Sequence, residues 1–340
     1  MTEPEAPFTA YWRRAFGVRD AIDPATAAEA VERLAPWLGR TLARAPVAQS
    51  VPEDPSETHE AAYQRLVLAR QTATVAALRT GGLQVLPIKG YDAARLYHPP
   101  WVRIVGDLDL LVRPGDAAAA VGELGLRGFA IERSPQGALG VTSDVSFHPM
   151  VSPDGLVSVD LHTALDAFPL SAALPAEAVL EAAIDGPAVP HLAPHHAALA
   201  SLSNLAKERF APYALRHLVD LGRLAVAERV DWPQVARVVQ AAGLGRAGAT
   251  TLGALLRLGV PADRLPAGVD PRFPPAARLA EQLGRLRLAD PGRLAKVGRE
   301  IAWCYDPGTV ARLWWFRAAG LLRPRTGLPP GAAVQQSDGA

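Results

Sequence analysis

The chain is 340 residues long, 49% hydrophobic and 20% charged, with a formal net charge of +1. That balance excludes collagen, coiled coil and wholesale disorder, and at about 150 residues per domain it predicts two or three domains. The N-terminus is acidic without an apolar h-region, no apolar run reaches about 18–20 residues, and Cys304 is the single cysteine, which together predict a cytoplasmic protein without membrane span, internal disulfide or cysteine-based zinc site.

The small net charge hides an asymmetry. Residues 201–340 hold 20 Lys/Arg against 11 Asp/Glu, whereas the first 200 hold 15 against 23. A basic half suits contact with phosphate or another polyanion, and equally a solvated arginine-rich helical surface.

Helix starts share a signature, Asp immediately before Pro, at Asp23-Pro24, Asp54-Pro55, Asp290-Pro291 and Asp306-Pro307. The carboxylate accepts an orphan N–H while the proline has none to leave unpaired. At Asp54 a capping box with Glu57 is predicted, and the helix that follows runs to about Thr80, stopped by Gly81-Gly82. Residues 1–82 thus read as an N-terminal helical region.

From residue 83 to 170 the pattern changes. Gln84–Ile88, Asp107–Val112 and Phe129–Ile131 read as strands separated by short helices, one from Tyr91 to about Tyr97 and one from Gly115 to Leu124. A hairpin of Val145–His148 and Leu156–Leu161 follows around the turn Ser152-Pro153-Asp154-Gly155. The prediction is an α+β unit with a mixed sheet. Helices return over 171–323, with apolar stripes at Val235/Val238/Val239/Ala242, Leu279/Leu283/Leu286 and Leu294/Val297/Ile301, all expected to be core. The aromatic-basic cluster Arg312–Arg317 is expected to be a helix packing its aromatics, and residues 324–340 a disordered tail.

Chemistry concentrates in the middle region. Strand alternation places Asp107 and Asp109 on one face and Leu108 and Leu110 on the other. Two neighbouring carboxylates call for a cation, and hard divalent ions, Mg²⁺ foremost, suit oxygen ligands. In Val157–His162 the same alternation groups Ser158, Asp160 and His162, so Asp160 converges on the pair if the strands are close. His148 on the outgoing strand is a further candidate, and a structural role is the alternative for both histidines. Gly90, closing a strand before a short helix, would let phosphate approach the backbone at the helix N-terminus. Lys89 is a candidate phosphate clamp and Arg103 a candidate phosphate or carboxylate clamp, with a buried-stem lysine the alternative at Lys89.

These residues resemble a known family. Lys89-Gly90, then Tyr97-x-x-Pro100-x-x-Arg103, then Gly106-Asp107-x-Asp109-Leu-Leu-Val, then Val159-Asp160-Leu-His162 is similar to the uncharacterised nucleotidyltransferase family of the polymerase-β superfamily. Arg216-His217-Leu218-Val219-Asp220-Leu221 is similar to that family's helical segment after the core. The resemblance implies a polymerase-β-type core flanked by N-terminal helices and a C-terminal helical domain. It implies Gly90 in the glycine motif, and Asp107, Asp109 and Asp160 as catalytic, metal-binding carboxylates around two Mg²⁺ ions, with Mn²⁺ a possible substitute. Tyr91 departs from the wider superfamily, where a serine follows the glycine, and Lys89 is then the substitute grip. Lys89, Gly90, Tyr91, Arg103, His162 and Lys207 form the nucleotide- and phosphate-binding set, with Arg209 and Arg216 as further contacts. The implied reaction moves an NMP from an NTP to a hydroxyl or phosphate of an acceptor, preferably a small molecule. An RNA- or protein-directed transferase and a non-catalytic nucleotide-binding protein on the same fold are the alternatives.

Overall fold

A computed structural model describes residues 6–50, 55–131, 145–287 and 292–322, without the side chains of 55–56, 293 and 316–322. These fall into two compact units. One lies within residues 1–65, 93–104 and 194–312, the other within 66–92, 105–193 and 313–340. Division of the sequence at 82 and 170 follows a change from helical to strand-bearing chain, whereas each unit draws on separated stretches.

The second unit carries a five-stranded mixed sheet: β1 (Val85–Pro87), β2 (Leu108–Val112), β3 (Ala130–Ile131), β4 (Met150–Val151) and β5 (Ser158–His162), in the order β1-β2-β5-β4-β3. β2 pairs antiparallel with β1 and parallel with β5, and β4 pairs antiparallel with both β5 and β3. The chain is therefore a mixed α+β protein. Alternation sorts the two central strands. Leu108, Leu110 and Val112 of β2, with Val157 before β5 and Val159 and Leu161 on it, enter one core with Val75, Leu78, Ala117, Ala120 and Leu124 from neighbouring helices. Each fully buried Leu or Val contributes about 1.5–3 kcal/mol over leaving it in water. The remaining face carries Asp109, Leu111, Asp160 and His162.

The hairpin differs in detail from its prediction. Its outgoing strand is Met150–Val151, while Val145–His148 makes only a single bridge, Ser146 to His162. Pro149 separates the two pieces, and a proline has no N–H to extend the ladder. The turn is as drawn from sequence: Gly155 has φ +71°, its N–H donates to Ser152 O at 2.9 Å, and Asp154 Oδ1 accepts from Leu156 N at 3.1 Å.

Helix ends follow their chemistry. Asp23 accepts from Thr26 N at 2.9 Å and caps Pro24–Leu38. The helix Pro55–Thr80 stops as Gly82 takes φ +85° and Leu83 N bonds back to Leu78 O. The caps at Asp54 and Asp290 and the tail lie outside the described residues. A cap missed in the sequence is Asp231, which accepts from Gln234 N ahead of Trp232–Ala241. Here the proline stands two places on.

Two stripes, Val235/Val238/Val239/Ala242 and Leu279/Leu283/Leu286, are buried. The third is not: Leu294, Val297 and Ile301 are 89%, 40% and 44% exposed. In the π-helical turn that follows, Glu300–Cys304, the residues facing inward are Glu300, Trp303 and Cys304. Trp314 and Trp315 are also exposed, contrary to the packing expected of them, while Leu313 is buried. Periodicity identifies an apolar face but not what covers it. Among the described residues no helix is long and apolar enough to cross a membrane.

Candidate functional site

The sheet-bearing unit gathers four candidate side chains. Parallel pairing sets Asp109 of β2 directly beside Asp160 of β5. Like charges side by side repel, so such a pair requires a cation. His162, two residues after Asp160 and hence on the same face, is buried. Its Nε2 lies 2.8 Å from Asp109 Oδ1, and its Nδ1 is buried without a hydrogen bond to any described residue. Lys89 enters from the end of β1, where Ile88 N donates to Asp109 O at 3.0 Å and ties the two segments together. Its Nζ is 2.5 Å from Asp109 Oδ1 and 3.2 Å from His162 Nε2. Lys89 also has φ +54°, a left-handed backbone that non-glycine residues adopt at a cost of about 1–3 kcal/mol.

Electrostatics follow from these contacts. Burial alone would raise the Asp109 pKa, but the His162 hydrogen bond and the Lys89 charge outweigh it and hold the carboxyl at about 2. The His162 pKa is lowered, first because burial disfavours the charged ring. A neutral imidazole keeps a nitrogen lone pair for a ligand, the state that binds metal. Asp109, Asp160 and His162 each offer one ligand atom, and these atoms all lie within 4.8 Å of one another. Two carboxylates suit Mg²⁺ or Mn²⁺, and the imidazole nitrogen extends the set beyond oxygen donors alone. The residues present fit a divalent cation.

The other sequence candidates are placed differently. Asp107 precedes the first residue of β2 and is exposed, and it is not part of the three-residue group. Its neighbour Gly106 is anchored by Gln71, whose Nε2 donates to the Gly106 carbonyl at 2.8 Å from the middle of the long helix. Nothing in a lone mid-helix glutamine announces that role. Gly90 is half-buried, and a Cβ there would meet only Val105 Cγ1 at 3.9 Å, so packing of the chain does not demand glycine. The Tyr91 hydroxyl is 2.6 Å from Thr72 Oγ1. His148 is half-buried and outside the ligand group.

Of the two roles expected of Arg103, the structure shows the carboxylate clamp, with both donors committed to Asp220. In the helical unit its Nε and Nη2 each donate at 2.8 Å to the two carboxylate oxygens of Asp220, and Tyr97 OH donates to Asp220 Oδ1 at 2.6 Å. Arg103 is 1% exposed, and Arg223 stacks 4.3 Å over the Tyr97 ring. Burial would raise the Asp220 pKa, but Arg103 holds it below the usual carboxylate range. His217 Nδ1 lies 4.0 Å from Asp220 Oδ2. The pair is separated by 117 residues, a distance no local pattern bridges. Lys207, Arg209 and Arg216 also belong to this unit. Lys207 is half-buried, Arg216 exposed, and Arg209 Nε donates to Glu300 at 2.6 Å.

A family model described as uncharacterised nucleotidyltransferase matches residues 20–255, more than half of the chain. No curated protein and no solved structure matches it. The match runs from the first capped helix through the whole sheet and beyond Asp220, and on that ground the chain belongs to the uncharacterised nucleotidyltransferase family.

Proposed function

We propose that the protein is a divalent-metal-dependent nucleotidyltransferase with a polymerase-β-type core, moving an NMP from an NTP to a hydroxyl of an acceptor, preferably a small molecule. The observation that carries this reading is the convergence of Asp109, Asp160 and His162 on adjacent strands of the sheet. In the reaction the acceptor oxygen bonds to the α-phosphorus, the bond from that phosphorus to the α,β-bridging oxygen breaks, and pyrophosphate leaves. Such a transfer needs positioning and charge neutralisation more than covalent chemistry. A bound divalent cation, Mg²⁺ or Mn²⁺, supplies neutralisation of the triphosphate.

The protein's own residues do the rest. Asp109, Asp160 and His162 hold the cation, and Asp107, exposed two residues before Asp109, is the further carboxylate of the site. Asp160 accepts the proton of the acceptor hydroxyl. Lys89, Gly90 and Tyr91 contact the phosphates, with Gly90 leaving room for them at the backbone.

Calorimetric titration with each NTP in the presence and absence of Mg²⁺ tests the reading. Metal-dependent binding of at least one NTP, followed by transfer of its α-label to a fraction of cell extract, is expected. Absence of metal-dependent binding for all four NTPs overturns it.

A further inference from the structure

We propose that Lys89 is an exchangeable internal cation, which pairs with Asp109 when no divalent ion is held there and passes to the nucleotide phosphates when metal and nucleotide arrive together. The proposal rests on the metal-dependent reading of the same site and adds a coupling between its two ligands.

Three observations carry it. The Lys89 ammonium lies 2.5 Å from Asp109 Oδ1 and 3.2 Å from His162 Nε2, so it claims two of the three residues that would hold a metal ion. An ammonium and a divalent cation on one carboxylate repel each other strongly at such distances. Charge within the group points the same way: the neighbouring carboxylates of Asp109 and Asp160 outnumber the one ammonium. Adding a divalent ion alone would make the group net positive, whereas a triphosphate brings enough negative charge to hold both cations. The third observation is conformational. Lys89 is held in a left-handed backbone at the strand–helix junction, its side chain is 13% exposed, and its flexible stem gives the head group reach. The residue next to it is Gly90, where the backbone leaves space.

Metal alone should therefore bind weakly and nucleotide should strengthen it, a reciprocal coupling. The test is calorimetric titration of Mn²⁺ alone into the wild-type chain, Lys89→Met, Lys89→Gly and Lys89→Arg, repeated with Mn²⁺ and ATP together. Lys89→Met should bind Mn²⁺ alone about tenfold or more tighter than wild type, within the usual range of coupling between sites. It should bind Mn²⁺-ATP more weakly than wild type. Lys89→Gly removes the ammonium and relieves the left-handed backbone, and should behave as Lys89→Met does. Lys89→Arg keeps the charge and should retain the weak Mn²⁺ binding of wild type. Mn²⁺ affinity unchanged or lower in both neutral variants, or raised equally in Lys89→Arg, overturns the exchange. Failure of wild type to bind Mn²⁺ together with any of the four NTPs would overturn the functional reading instead, and the comparison with Mn²⁺ alone would still decide the exchange.

Discussion

Two ion-paired clusters in this chain use similar ingredients to opposite ends. In the helical unit Arg103 and Asp220 meet as matched charges through two parallel hydrogen bonds, with Tyr97 taking up a remaining lone pair, and both side chains are 3% exposed or less. In the sheet unit Lys89 meets Asp109 with a second carboxylate alongside, an imidazole nitrogen without a hydrogen-bond partner among the described residues, and 13% exposure of both paired side chains. A fork of donors on a planar acceptor leaves nothing over. A single ammonium beside two neighbouring carboxylates leaves one negative charge over, which another cation can answer. The cluster whose donors and acceptors balance holds structure together, and the one with a surplus can bind something.

The sharpest way to break this comparison is to unbalance the sealed pair. Asp220→Ala leaves a buried, uncompensated guanidinium and should cost about 3–5 kcal/mol in urea-monitored unfolding. Joint replacement, Arg103→Met with Asp220→Leu, should recover much of that loss, and a joint variant as unstable as the single one would contradict the assignment. On the other side, Asp109→Asn should lower nucleotidyl transfer by about 10²–10³-fold, the size of effect seen when one fixed electrostatic group is removed from an active site. Its unfolding free energy should move far less than that of Asp220→Ala, because its partner lysine can still reach water.

Acid distinguishes the clusters as well. Burial first, together with nearby cations, pushes the His217 pKa down to about 3, against an ordinary value near 6.5. Its neutral ring belongs to the folded state, so the stability it supports is complete above pH 6.5 and is lost as pH falls from there towards 3. Unfolding midpoints at pH 7, 5 and 4 should decline less steeply in His217→Asn than in wild type. Equal slopes would detach His217 from the sealed network. The smallest effect is expected at Asp107. Being exposed, it should alter stability by no more than about 0.5 kcal/mol when changed to Asn. A loss of Mg²⁺-NTP binding in that variant then reports ligand contact and not folding.

The readable features of this chain are local. Glycine pairs, the Ser152–Gly155 turn and period-2 alternation located the strands that bear Asp109 and Asp160, and the same alternation sorted His162 to their face. What the chain concealed depends on partners distant in sequence. Lys89 and Arg103 look equivalent as basic residues near a carboxylate motif, yet Asp220 takes one and Asp109 the other. Alternation also extends a strand by pattern past the point where pairing ends: β2 begins at Leu108, and Asp107 precedes it. The stripe Leu294/Val297/Ile301 shows a related blindness: its spacing marks one apolar face, yet all three residues are exposed.

The parallel register of β2 and β5 has one more consequence. Asp109 stands opposite Asp160, and Leu108 and Leu110 stand opposite Val159 and Leu161. Sliding β5 by a single residue would bring Val159 or Leu161 beside Asp109 and drive the Asp160 carboxylate into the apolar layer, since alternate residues exchange faces. Charge thus acts as a proofreader of strand alignment. A mispaired sheet could not persist as a stable but inactive form, because the error that dismantles the site also buries a carboxylate among leucines and valines. Selection for the reaction and selection for the correct pairing would fall on the same two aspartates.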